Sequence, residues 1–153
     1  MASSYADPMI LTPETRTFID AQRVARLATV DTGAHPHIVP ICFALAPGAD
    51  TLYTPIDEKP KRGDYTHLRR LRNIAANPNV QVLFDVYDDS DWQRLRYVQL
   101  RGAARTITPG DEHARAIALL RTRYPQYARM ALESRPVIAV DVARFVGWRS
   151  DDD

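Results

Sequence analysis

The feature that most restricts the fold is a succession of apolar, β-rich runs joined by connections too short to hold a crossover helix. Val24, Leu27, Ala28 and Val30 lead into the turn Asp31–Ala34 and the run His37–Phe43, and a second turn, Pro47–Asp50, leads directly into Thr51–Ile56. Strands joined this tightly pair antiparallel, because a parallel pair needs a crossover of about a dozen residues. The pattern returns later in the chain. Val80, Val82, Phe84 and Val86 alternate with Gln81, Leu83 and Asp85, the acidic turn Asp88–Asp91 follows, and a further strand runs from Arg96 to about Thr108. A last strand extends from Val137 through Phe145 to Trp148.

Three short helices punctuate these strands. Thr12, Pro13 and Glu14 read as an N-cap, a first-turn proline and a first-turn acid, predicting a helix from Pro13 to about Gln22. Leu68, Leu71 and Ile74 or Ala75 keep helical spacing until Asn77-Pro78 ends it, and Thr108–Asp111 reads as the cap of a longer helix reaching Tyr124. The order α-βββ-α-ββ-α-β contains six strands. It predicts an α+β, mainly β, architecture: a six-stranded antiparallel barrel with short peripheral helices, in one domain spanning residues 1–153.

Pro40 interrupts the second run. It has no N–H to give a ladder, so its strand belongs at an edge, at a bulge or against a ligand-facing gap.

Charge is informative only locally. The chain carries 20 basic and 19 acidic side chains, so no global field favours nucleic acid or an anionic membrane. Yet its two lysines, Lys59 and Lys61, stand with Arg62, Arg69, Arg70 and Arg72 in a stretch whose single acid is Asp64. A solvated loop and helix face is the ordinary meaning of such a run. Three features add an anion site: Tyr53 and Thr54 end the preceding strand with hydroxyls, the cluster opens a helix whose N-terminal amides favour negative charge, and Pro60 stiffens the loop. A phosphate ester is the natural guest; nucleic acid calls for more base-stacking aromatics and a wider basic face.

The familiar catalytic constellations are missing. There is no Gly-x-Gly-x-x-Gly, Walker loop, Gly-x-Ser-x-Gly elbow or His-Glu-x-x-His. His35 and His37 lie two apart beside a turn, where such a pair is more often polar surface than a metal site. The single cysteine, Cys42, excludes an internal disulfide and, next to Phe43, reads as a small buried hydrophobe. With no evident acid, base or nucleophile, any reaction belongs to a bound cofactor that the protein positions. The N-terminus lacks the basic and apolar regions of a leader and no apolar run approaches the ~20 residues of a membrane span, so a cytoplasmic protein with no membrane partner is expected.

In order along the chain, Val24–Val30, a Gly-containing turn, Pro36–Phe43, Leu52–Pro55 and Leu71–Val80 resemble the pyridoxamine 5'-phosphate oxidase-like split-barrel superfamily. The segment Ile56-Asp-Glu-Lys-Pro-Lys61 is most similar to the branch of deazaflavin (coenzyme F420)-dependent oxidoreductases. The resemblance implies a six-stranded split barrel, a homodimer, and a flavin-like cofactor, F420 or alternatively FMN, in a groove at each subunit interface. It places the phosphate on Tyr53, Thr54, Arg69 and Arg70, assigns Lys59 and Lys61 to a longer loop of this branch, and sets Pro40 where a ring edge reads backbone groups. Apolar residues around Val39 and Ala44 replace the oxidase's Arg and Lys, so pyridoxamine phosphate oxidation itself is not implied. Trp148 corresponds to an aromatic lining the cofactor or substrate pocket, equally compatible with a core or interface tryptophan, and Trp92 to an interface or pocket rim. The resulting expectation is an oxidoreductase moving a hydride between F420 or FMN and a small conjugated organic molecule. The alternative is a non-catalytic flavin-binding or carrier protein.

Overall fold

The computed structural model describes residues 9–57 and 64–150. Thr12 opens α1 (Pro13–Ala21) as expected: its hydroxyl accepts the N–H of Thr15 at 3.1 Å, and Phe18 and Ile19 turn inward. Seven strands follow: β1 (Ala25–Val30), β2 (Pro36–Ile41), β3 (Ala44–Leu45), β4 (Thr51–Pro55), β5 (Asn79–Val86), β6 (Arg96–Ile107) and β7 (Val137–Arg149). Between them lie α2 (Arg69–Ala76) and α3 (Asp111–Arg123). All pairings are antiparallel, in the order β2-β1-β5-β6-β7-β4-β3.

The strands at the two ends of that order are consecutive in sequence. Only Cys42 and Phe43 separate β2 from β3, a step that extended chain covers in about 11 Å. The sheet must therefore curl until its edges meet. This is a split barrel, with seven strands in place of the expected six, because β2 ends at Ile41 and the two residues Ala44–Leu45, just past the expected run His37–Phe43, form a strand of their own. Phe43 leaves the ladder, gives its N–H to the Tyr124 hydroxyl at 3.1 Å, and sinks its ring edge-on against Phe84 at 5.0 Å between centroids. The chain beyond it then pairs with β4 instead of β1. Pro40 sits on the edge strand β2, opposite Arg26, as its missing N–H requires.

The long β6·β7 ribbon bends at a bulge between Arg101 and Gly102. A side chain at Gly102 would bring its Cβ to 2.3 Å from the Asp141 carbonyl oxygen, so only glycine fits there. Two apolar clusters result. One fills the barrel with Leu27, Phe43, Leu52, Val82, Phe84, Leu100 and Ile138, and the other packs Ala116, Ile117 and Leu120 of α3 onto Tyr53, Val137 and Ala139. The helix itself starts two residues later than a cap at Thr108 would place it: Gly110 occupies the cap position without a side-chain bond, and Asp111 and Glu112 supply first-turn negative charge. Among the described residues no helix is long and apolar enough to cross a membrane.

Candidate functional site

Alternation along β4 separates the two hydroxyls that the sequence placed together. Thr54 is 2% exposed and faces a recess of about 250 Å³ that Pro40 and Cys42 line from the β2–β3 edge, Asp57 from the end of β4, and Arg70 from α2. Tyr53 turns to the other face, under α3, and donates to Glu112 Oε1 at 3.0 Å. Arg105 holds the same carboxylate with two bonds of 2.7 Å and reaches Asp141 at 2.8 Å, while Thr51 donates to Asp141 at 3.0 Å. The Arg105 bonds hold the Glu112 carboxyl at about 2 and keep that of Asp141 below the ordinary carboxylate range; burial pushes the Tyr53 phenol up. Tyr53 is thus engaged in a clasp between sheet and α3, away from the recess.

On the recess side, α2 begins with Arg69 and Arg70, and its cap residue Leu68 offers no side-chain bond to the first amides. Those amides and the two guanidinium groups make this end of the helix receptive to an anion. Arg69 is exposed and Arg70 half-buried beside Thr54 and Pro40. Beneath the recess, Tyr127 donates to Asp57 Oδ2 and Arg135 Nη1 to the Asp57 carbonyl, both at 2.8 Å, so the residue that leads into the lysine loop is fastened from below. Burial, with Cys42 and Asp57 alongside, drives the Tyr127 phenol far above its usual range, so it stays protonated and donating. Cys42 is half-buried at the rim of the recess, more open than its sequence context suggested. Lys59 and Lys61 lie outside the described residues.

Trp148 does not join this group. It pairs across the ladder with Tyr97 and stacks on it at 5.8 Å, 37% exposed on the outer face of the sheet. Trp92, 64% exposed, belongs to a single 3-10 turn, Trp92–Arg94, capped by Asp91. No group of three metal-ligating side chains forms among the described residues. A larger cavity of about 760 Å³ lies between α1, β3 and α3. Two arginines on its wall are already engaged: Arg123 donates to the Asp20 and Gln22 carbonyls, and Arg23 to the Arg123 carbonyl.

Sequence reasoning passed over His37. His35 lies in the turn before β2, exposed and 3.2 Å from Asp31, whereas His37 is on the strand, with its Nδ1 sealed from solvent and no hydrogen-bond partner among the described residues. Its position two residues before Val39 in the inward series of β2, opposite Thr29, was the available signal.

A hydroxyl, a carbonyl-rich edge, two arginines at a helix start and a buried ring nitrogen suit a phosphorylated flavin-type ligand better than a metal or a covalent intermediate. The family model described as pyridoxamine 5'-phosphate oxidase matches residues 11–149. A 5a,11a-dehydrotetracycline/5a,11a-dehydrooxytetracycline reductase from Streptomyces rimosus is 31% identical over 107 residues, covering 70% of this chain and 71% of the reductase. In overall shape the chain is similar to a conserved hypothetical protein of Mycobacterium tuberculosis, with a TM-score of 0.73, 18% identity and coverage of 96% and 89% of the two chains. It is similar too to a FAD-binding protein of Mesorhizobium loti, with a TM-score of 0.64, 20% identity and coverage of 88% and 91%. Fold, site and family model converge, and the chain belongs to the pyridoxamine 5'-phosphate oxidase family.

Proposed function

We propose that this protein is an oxidoreductase that moves a hydride between a bound deazaflavin, coenzyme F420, or alternatively FMN, and a small conjugated organic substrate. The observation that carries this reading is the meeting of Thr54, Pro40 and Arg70 around one recess at the start of α2. When bound, the cofactor supplies the hydride chemistry. The chain's own residues bind and orient: Arg69, Arg70 and the α2 amides grip the phosphate, the Thr54 hydroxyl adds a hydrogen bond, and the edge backbone around Pro40 faces the ring. Tyr127 and Arg135 keep Asp57, at the rim of the recess, in place.

F420 is favoured over FMN because it bears a polyglutamate tail beyond its phosphate, and six basic residues between Lys59 and Arg72 exceed what one phosphate needs. Relatedness to a reductase favours turnover over storage. The outer face of the sheet, with Ile38 62%, Val146 38% and Trp148 37% exposed, favours pairing with a second copy. Sedimentation as a clean 17.3 kDa monomer at micromolar concentration would remove the homodimer from this reading. The decisive experiment is an absorbance spectrum of protein purified from its own host, followed by reduction and addition of an electron acceptor. A deazaflavin band that bleaches on reduction and returns with the acceptor is expected. An oxidised-flavin spectrum would reassign the cofactor to FMN, and a bound chromophore that no acceptor reoxidises would leave a carrier.

A further inference from the structure

His37 is placed under the first turn of α2 by two linked contacts. In the β1·β2 ladder it stands opposite Thr29, so both side chains project to the inner face. Thr29 is 3% exposed, and its hydroxyl accepts from Asn73 Nδ2 at 2.9 Å. Asn73 lies one helical turn on from Arg69 and Arg70, which fixes the arginine-bearing turn above the Thr29–His37 pair. Nδ1 of His37 is closed off from solvent with no partner among the described residues. A buried polar nitrogen left in that state is unusual and calls for an explanation.

Burial, followed by the charges of Arg69 and Arg70, keeps the ring's affinity for a proton below that of an ordinary histidine. The ring is therefore neutral near pH 7. With Nδ1 shut away, the tautomer that serves a ligand carries its proton on Nε2, which donates one hydrogen bond without adding a third positive charge to the pair of arginines. We infer that His37 is a third member of the phosphate site, a neutral donor that works with Arg69 and Arg70 on the phosphate of the bound cofactor. The inference rests on the phosphate reading of those arginines.

The test is a difference measurement on the full chain. FMN and riboflavin, which differ by the phosphate, are titrated by fluorescence into the parent, His37→Ala and His37→Gln; F420 and its phosphate-free deazaflavin core form a second such pair. The parent should prefer the phosphorylated member of each pair. His37→Ala should shrink that preference about tenfold or more with riboflavin affinity changed less than twofold, in line with one lost hydrogen bond to a charged group. His37→Gln, which retains an N–H donor, should recover part of it. An undiminished preference in His37→Ala overturns the role of His37 and leaves the arginine site standing. An equal loss of both affinities together with a lower melting temperature assigns His37 to packing, which also overturns it. A parent with no preference for phosphate removes the arginine site and His37 together.

Discussion

The two faces of β4 meet their polar neighbours in different ways. On the α3 face, Tyr53, Glu112, Arg105, Asp141 and Thr51 form a closed set in which each charge has an opposite charge or a donor within 3.0 Å. On the α2 face, Arg69 makes no ion pair among the described residues, the first amides of α2 lack a side-chain cap, and a ring nitrogen of His37 is buried alone. Both regions gather charge on a strand–helix junction. The first is complete within the chain and so serves the fold, whereas the second keeps Arg69 exposed and the first amides of α2 without a side-chain cap, open to an anion from outside.

The largest effect expected from this contrast is on affinity. Charge-assisted bonds to phosphate contribute roughly 1.5–3 kcal/mol each, so Arg70→Ala should weaken cofactor binding about tenfold to a hundredfold, and the Arg69→Ala/Arg70→Ala double variant by more. Arg69 is exposed and Arg70 half-buried, so these substitutions should change folding stability by no more than about 1 kcal/mol, a small shift in the melting temperature of the apo protein. Tyr53→Phe should do the reverse, leaving affinity within twofold while costing about 1 kcal/mol of stability through the bond lost to Glu112. Fluorescence titration and thermal melts of the three proteins check both halves. Equal cofactor affinity in Arg70→Ala and the parent would break the contrast on the α2 side, and weakened binding in Tyr53→Phe would break it on the other.

A second, smaller effect concerns acid. The Glu112 carboxyl sits at about 2 in the folded chain against an ordinary 4.5, and that of Asp141 is lowered too, chiefly by hydrogen bonds from Arg105. A folded value below the unfolded one means a stabilisation that is fully present above pH 4.5 and is lost as pH falls toward 2. Arg105→Met should therefore reduce stability at neutral pH by about 1 kcal/mol, a modest figure because the side chains are partly solvated, and should flatten the acid limb of the melting curve. Superimposable acid limbs in parent and variant would show that the clasp contributes nothing to folding.

These two regions differ in how much of them is legible in the sequence. The cap at Thr12, the alternation in Asn79–Val86, the edge position of Pro40 and the arginine pair at the start of α2 all depend on residues within a few positions of each other, and each stands where local rules put it. The break between β2 and β3 depends on Tyr124, which captures the Phe43 N–H from 81 residues away. The engagement of Tyr53 depends on α3 covering one face of β4, and the outward stacking of Trp148 on its cross-strand partner Tyr97. Period-two alternation does say that Tyr53 and Thr54 face opposite ways. It does not say which face holds the recess, because that is decided by where the distant helices pack.

The smallest effect is the one that separates the two cofactors, and it falls on Lys59 and Lys61, outside the described residues. If these side chains read the polyglutamate tail of F420, Lys59→Gln/Lys61→Gln should weaken binding of the long-tailed cofactor severalfold and leave a tail-less precursor almost unchanged. The tail carboxylates are solvated charges, so this contribution should fade as salt shortens the Debye length to about 8 Å and below, whereas the grip of Arg69 and Arg70 on the phosphate, strengthened by the partly enclosed recess, should persist. FMN has no tail, and its affinity should follow Thr54, Arg69 and Arg70 alone. Titrating parent and double variant with F420, its tail-less precursor and FMN at low and moderate salt therefore yields a pattern, not a single number. A loss confined to the tailed cofactor at low salt supports F420, because the tail is what distinguishes it from its precursor. Tighter binding of FMN than of F420 by the parent, with no dependence on tail length, would make FMN the cofactor and confine the working half of the contrast to the arginine end of α2.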